Sequence, residues 1–301
     1  MLRPALVVIG IFGLLSQPAY AGQEPLAVDS LYDTIAKDLA NGKPLVVQVH
    51  VPLCESAIIR CGNAKLGDGD NPDTNLYWST SGGFKGWFKK SRGWKLVHIE
   101  KPAKGEVLEK RVWRRRFRPT AAWRKRDVDK KFDVYVVAYA WRGTSINKAI
   151  DAYVSQLSGL DSETLELDDK TTLAVGGGAH VISWVGHNGW MDIDFDWDAR
   201  KQAKSPKGTI AVACMTADYL AEPLTDPKIV PLLMTTSLMF AGAHSFEGAV
   251  SAMAQAKTLR QIRSSAAANH AEGQHKPYKR VIGAFTNPSD KRWRRYVKTA
   301  K

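Results

Sequence analysis

The sequence predicts an α/β protein whose mostly parallel sheet is flanked by helices in a three-layer sandwich, and three observations carry that expectation. Short apolar runs rich in β-branched residues, bounded by Gly, Pro or charge, recur at 45–53, 132–141, 180–185, 209–213 and 230–239. Strands buried on both faces read this way. Segments with helical spacing at 30–39, 146–157, 245–256 and 259–270 alternate with those runs or follow them, as in sheets built from parallel crossovers. At 301 residues with 44% apolar side chains, the chain is long enough to bury a substantial core.

Taken in order, residues 1–21 read as a secretory signal. Arg3 supplies the charge, Ala5 to Leu15 the apolar segment, and Ala19-Tyr20-Ala21 the small-x-small cleavage site. The mature chain is expected to begin at Gly22, in an extracytoplasmic compartment, periplasmic or secreted. The apolar segment is shorter than the ~20 residues that span a bilayer, and no later run approaches that length, so no transmembrane segment is expected. Residues 22–286 are read as one α/β domain and 287–301 as a basic tail, with KRWRRYVKTAK (291–301) lying at the periphery.

Within the domain, SLYDTIAKDL (30–39) is a helix that Asn41-Gly42 ends, and Pro44 opens the first core strand, LVVQVHVPL. His50 inside that strand reads as a satisfied structural histidine. A long irregular stretch from Cys54 to Gly83 follows, rich in Gly, Asn and Asp, and loops of this length inside a domain are usually functional or mobile. Its Gly67–Asp73 segment superficially resembles a calcium loop, but it lacks the glycine at position six and the glutamate at position twelve. An Asp/Gly-rich turn is the plainer account, and no metal is expected.

A short helix (83–90) and a strand (94–100) lead to the basic ribbon LEKRVWRRRFR at 108–118. There Val112, Arg114 and Arg116 alternate with Trp113, Arg115 and Phe117, so strand spacing exposes some of the arginines on an arm or hairpin. Basic residues interleaved with aromatics also grip nucleic acid, but secretion argues against that partner. The strand FDVYVVAYAW (132–141) turns at Arg142-Gly143-Thr144 into a helix (146–157) that Gly159 ends, and 162–170 is an acidic connector. Arg142 is a candidate clamp for a substrate carboxylate. The formal charge of +13 favours anionic partners such as lipid head groups or acidic polysaccharide without specifying a fold.

The chain has three cysteines. Cys54 and Cys61 are close enough in sequence for a small disulfide ring, which leaves Cys214 as the free thiol. His187 and Cys214 each lie just past an apolar run, 180–185 and 209–213. If those runs are neighbouring parallel strands, the two residues sit together at the carboxyl edge of the sheet, where ligands and reacting groups collect. A thiol beside an imidazole is the minimum equipment for a cysteine nucleophile, because the base removes the proton and the thiolate attacks. His244 is the competing base, whereas His180 lies at the opposite end of its strand. The run Asp192, Asp194, Asp196 and Asp198 alternates with apolar residues and is read as one face of a strand or ribbon, a solvated face first and a site for a basic substrate residue or a cation second.

VISWVGHNG (181–189) and TIAVACMT (209–216) together resemble the core of the caspase, legumain and gingipain group of cysteine peptidases. LLMTTSLMFAGAHSF (232–246) is similar to the strand and loop that line the substrate cleft in legumain-type enzymes. The resemblance covers residues 181–246. It implies a caspase-like fold, Cys214 as nucleophile, His187 as general acid/base, and backbone N–H groups of Gly189 and Cys214 holding the oxyanion. It also implies that Thr235, Thr236 and Ser237 face a peptide or protein substrate, and that no cofactor is needed. Two other functions fit the same residues. One is a non-catalytic extracytoplasmic binding module that uses the basic ribbon and tail on anionic surfaces. The other is a cysteine hydrolase or transferase acting on amide bonds of the cell envelope.

Overall fold

A computed structural model describes residues 24–196 and 203–297. The expected signal segment, Asp198 and the end of the basic tail lie outside them. In chain order the elements are α1 (Glu24–Ala40), β1 (Leu45–Pro52), α2 (Phe84–Phe88), β2 (Lys95–Glu100), β3 (Val107–Phe117) and α3 (Ala121–Arg124). Then come β4 (Phe132–Trp141), α4 (Ile146–Leu157), β5 (Ser162–Glu166), β6 (Thr172–Gly176), β7 (Val181–Val185) and β8 (Lys207–Val212). The chain finishes with α5 (Thr216–Leu220), β9 (Ile229–Thr235), α6 (Ala243–Met253), α7 (Leu259–Gly273), α8 (Tyr278–Val281) and β10 (Phe285–Thr286).

Eight strands form one sheet in the order β10-β9-β8-β7-β1-β4-β3-β2. The five from β9 to β4 are parallel, while β3, β2 and β10 join antiparallel at the two sides. Counted along the chain, the parallel strands occupy the spatial order 2-1-3-4-5. The chain therefore moves outward from β1 to β4 and then reverses to β7, and a crevice forms outside the carboxyl ends where that reversal occurs.

Period-two alternation divides each central strand between two cores. Val47, Val49 and Val51 of β1 pack with Leu31 and Ile35 of α1 and with Phe246 and Ile262 of α6 and α7. Val46 of the same strand faces Ile150 and Tyr153 of α4, together with Trp184 and Leu220. Both faces of the sheet are thus covered by helices, which is why β1, β7, β8 and β9 are buried along their whole length.

Several elements differ from the sequence expectation. Of the two shapes expected for the basic ribbon the hairpin holds and the arm does not: as β3 it pairs antiparallel with β2, and its other side is hydrogen-bonded to β4 inside the sheet. The acidic connector is a hairpin of β5 and β6, closed by Lys170 with φ 66°. The last strand stops at Thr235 rather than Met239, because the Thr235 hydroxyl bonds inward to Thr216 and to the Ala213 carbonyl. No strand carries Asp192, Asp194 or Asp196. Instead Gly189–Met191 forms one 3-10 turn, capped by Asn188 Oδ1 accepting from Trp190 N at 3.2 Å, and 192–196 is irregular. The start of the basic tail is anchored, with Trp293 buried and Arg292 reaching Asp290 and the Gly283 and Phe285 carbonyls.

Three histidines are buried in the neutral form. In β1, His50 accepts from Trp141 Nε1 at 3.0 Å on Nδ1 and donates from Nε2 to Gln156 Oε1 at 2.9 Å. His244 and His270 share the Ser245 hydroxyl between α6 and α7, at 3.1 and 3.0 Å. Loss of solvent lowers all three from the usual 6.5, to about 4 for His50, about 3 for His244 and about 4 for His270. The folded state therefore takes up these protons later than the unfolded chain. Their contribution to stability is complete above pH 6.5 and is lost as the pH falls toward 4 and 3, at about 1.4 kcal/mol per pH unit for each residue. Urea unfolding should show a clear drop in midpoint between pH 7 and pH 5, well above the range in which Asp38, lowered to about 2 chiefly by its bond with His180, begins to protonate. A flat midpoint over that interval would contradict neutral burial of the three rings.

Candidate active site

The neighbouring parallel strands β7 and β8 run in register, with Val185 opposite Val212. His187 and Cys214 each lie two residues beyond that pair, so the two leave the sheet level with one another. Gly186 N donates to Val212 O at 3.2 Å to close the ladder, and a Cβ at Gly186 would lie 3.1 Å from Pro52 O, so this position suits a residue without a side chain. The fully buried Asn188 then bridges the two strand ends: its Nδ2 donates to Cys214 O at 2.6 Å.

Cys214 is half-buried and is the free cysteine, because Cys54 and Cys61 form a disulfide. Its thiol points to Met239 O at 3.6 Å. The next residue, Met215, occupies the left-handed region (φ 50°, ψ 37°), and α5 begins immediately after it. A left-handed non-glycine costs on the order of 1 kcal/mol or more and persists only where its surroundings hold it. Here Met215 N donates to Ser237 O at 3.1 Å, Thr216 N to Thr235 Oγ1 at 3.2 Å, and Thr216 Oγ1 to Ala211 O at 3.0 Å. The sharp strand-to-helix turn keeps the thiol at the end of the sheet.

His187 is engaged by Asp192. A carboxylate only accepts, so the imidazole Nε2 carries a proton in that contact, and in the neutral ring the lone pair is on Nδ1. Asp192 thus holds one tautomer and one orientation of the ring; its carboxylate is turned to the histidine as well as to solvent. Beside it, Trp190, Met191, Ile193, Asp194, Phe195 and Tyr219 join Asp192 in lining a cavity of about 470 Å³. Trp190 anchors that wall on Trp184 and Tyr153, with ring centres 4.8 and 5.5 Å away.

The loop 54–83 approaches the site on the Cys214 side through Tyr77. Buried Asn75 acts toward Cys54 as a neighbouring strand would, its Oδ1 accepting from Cys54 N at 2.9 Å and its Nδ2 donating to Cys54 O at 2.8 Å. This places Tyr77 against Phe240, ring centres 6.2 Å apart, beside the Met239 carbonyl that receives the thiol. Burial raises the Tyr77 phenol well above its ordinary range, and negative charge on Cys214 raises it further. The phenol is therefore neutral and within electrostatic reach of the sulfur.

The remaining candidates are placed differently. Arg142 pairs with Asp70 and lies 3.6 Å from Glu106, two strands away from β7, so its charge is spent on the loop. Thr235 is fully buried in the Thr216 lock, and Thr236 Oγ1 donates to Gly283 O at 2.8 Å. Ser237, half-buried, contributes its carbonyl to Met215. Gly189 is buried against α4, where a Cβ would lie 2.8 Å from Ile146 Cδ1. His244 is held by Ser245 and by Gln274 Nε2 at 3.2 Å inside the helical layer, and His180 bonds Val46 N and Asp38 at the far edge of the sheet. In the 67–73 segment Asp68 and Asn71 cap local turns. Among the described residues no group of three or more His, Cys, Asp or Glu side chains is placed to hold a metal ion.

The roles of Asn188, Asn75, Tyr77 and Thr216 were not apparent from the sequence. The Tyr77-Trp78 pair in the long Gly-, Asn- and Asp-rich loop is the signal that could have pointed to Tyr77. No family model, no curated protein and no solved structure matches the chain. The resemblance to caspase-like peptidases accordingly rests on the residues around the two strand ends.

Because Asn188 satisfies a buried carbonyl, Asn188→Ala should cost about 1–3 kcal/mol in urea unfolding. The same substitution should loosen Cys214 and raise its solvent reactivity. A variant as stable as the parent would remove Asn188 from the role of clamp.

Proposed function

We propose that the chain is an extracytoplasmic cysteine hydrolase of caspase-like fold, an endopeptidase in which Cys214 is the nucleophile, His187 the general base and Asp192 the residue that orients His187. The observation that carries this reading is the delivery of His187 and Cys214, at equal offsets past the paired Val185 and Val212, to the carboxyl edge of adjacent parallel strands. The Cys54–Cys61 disulfide supports an oxidising compartment. No described helix is long and apolar enough to cross a membrane.

In this mechanism the Cys214 side chain turns from the Met239 carbonyl toward His187, and Nδ1 takes the thiol proton. The sulfur attacks the carbonyl carbon of an amide, and the oxyanion is held by backbone N–H groups at the strand ends. Collapse breaks the C–N bond, with the imidazolium returning its proton to the leaving amine. Water, deprotonated by the same ring, then hydrolyses the thioester. Asp192 stabilises the imidazolium that forms in each half-reaction without accepting its proton. The cavity beside Asp192 and Asp194, with Trp190 and Phe195 in its wall, suits a substrate side chain with an apolar stem and a cationic end.

One observation favours the second reading, a binding module without catalysis: the thiol is bonded to Met239, beyond β9, and the histidine to Asp192, in the loop after β7, rather than to one another. Alkylation kinetics separate the two. With iodoacetamide at about pH 6, wild-type Cys214 should react at least about tenfold faster than in His187→Ala, and Asp192→Asn should fall between them. A thiol that reacts only after denaturation, in wild type and variants alike, would sink the catalytic reading and leave the binding module.

A further inference from the structure

The opposite edge of the sheet carries a feature that the proposed chemistry does not use. Lys43 and Pro44 lead into β1, and Lys130 and Lys131 lead into β4, so these residues stand where the two parallel strands begin. Together with Arg114 and Arg116 of β3 they line a cavity of about 470 Å³, with Phe132 and Tyr135 in its wall. A second cavity, of about 350 Å³, shares Arg114 and Arg116 and adds Lys95 and Arg115. His187 and Cys214 follow the carboxyl ends of β7 and β8, which run parallel to β1. The basic clefts therefore open at the other end of the sheet.

The charge in these clefts is only partly neutralised, Lys43 Nζ being paired with Asp38 at 3.0 Å. Asp127, Asp129 and Asp133 are the carboxylates of the larger one. Arg116 is 3.7 Å from Asp133, and Arg114 is 3.9 Å from Asp169, both longer than a direct charge-assisted hydrogen bond. Among the described residues Lys130 and Lys131, both exposed, form no ion pair. Arg115 differs, since its guanidinium turns inward to Glu247 and Ser251 at 3.4 and 3.2 Å. Two guanidinium groups spaced along one strand, faced by two unpaired ammonium groups across a concave floor, match an anion with several oxygens. Planar guanidinium forks grip phosphoryl oxygens in pairs, and lysines add point charge.

We propose that this cleft is a binding site for a phosphoryl anion, held by Arg114, Arg116, Lys130 and Lys131 with Lys43 at its rim. The phosphoryl group belongs either to a soluble di- or polyphosphate or to an anionic lipid head group. The site does not depend on the reading of Cys214, and its test does not involve that residue.

The test compares wild type with Lys130→Glu/Lys131→Glu and with Arg116→Glu, all exposed positions. Titration with inorganic pyrophosphate is followed by calorimetry, and co-sedimentation is measured with vesicles of phosphatidylcholine alone or mixed with phosphatidylglycerol, each at low and at physiological salt. Unchanged urea unfolding and an unchanged circular dichroism spectrum show that the variants are intact. Pyrophosphate binding that weakens at least about tenfold in both variants and declines with salt supports the site with a soluble ligand. Sedimentation with phosphatidylglycerol vesicles only, lost in both variants, supports it with a lipid head group. Binding of neither probe by wild type, or equal binding by intact charge-reversed variants, overturns the proposal.

Discussion

The parallel register between β7 and β8 is the constraint on which the candidate site depends. Because side chains alternate faces, a slip of one residue would exchange Trp184 with Val185 between two cores of different shape. Two local features pin the pairing. At Gly208 a Cβ would sit 2.7 Å from Leu232 Cδ1, so the strand start admits no side chain there. One residue on, the buried Thr209 hydroxyl shares a 2.6 Å hydrogen bond with Tyr153 of α4. With the register held, the carboxyl ends of both strands emerge level, and Asn188 joins them.

The same arrangement explains why so much of the polar inventory serves positioning. Thr216 and Thr235 satisfy one another and the Ala211 and Ala213 carbonyls, which anchors the left-handed turn at Met215. Asn75 supplies a strand-like partner to Cys54, so the buried Cys54 N–H and C=O are both satisfied where the chain leaves the sheet. Close approach of Gly69 to Gly143, where Gly143 N donates to Gly69 O at 2.9 Å, ties that loop to the end of β4. Arg142 contributes to the same seam through Asp70 and Glu106.

Charge and chemistry are placed at opposite ends of the strands. At the carboxyl end of β7 and β8 stand the thiol, bonded to Met239 O, and the imidazole with the Asp192 carboxylate turned to it. The charges beyond β4 are paired among Arg142, Asp70, Glu106 and Lys148. Arginines and lysines at the amino end of β4 outnumber the carboxylates near them. The excess follows from β3 being an antiparallel neighbour of β4, which brings Arg116 beside Asp133 and the adjacent lysines. A protruding arm would have scattered those charges into solvent.

How much of this was legible in the sequence follows from the range of the interactions involved. Apolar runs and helical spacing are local, so FDVYVVAYAW as β4 and Ile146–Leu157 as α4 were readable to the residue. The odd cysteine out of three, and the placement of His187 and Cys214 after apolar runs, were readable for the same reason. Elements shaped by partners distant in sequence were not. The acidic connector became a hairpin, the aspartate run lost its strand to the cap made by Asn188, and the tail was secured by Trp293. Thr235, Arg142 and Asp192 look alike as polar candidates in a sequence. Tertiary structure buries the first, pairs the second with a loop and turns the third to His187, because strand order decides which side chains meet. Composition and periodicity by themselves determined an α/β core with a free thiol and a strong positive charge. Only the assembled sheet decided that the thiol has an imidazole at its level and that the charge gathers at the opposite end.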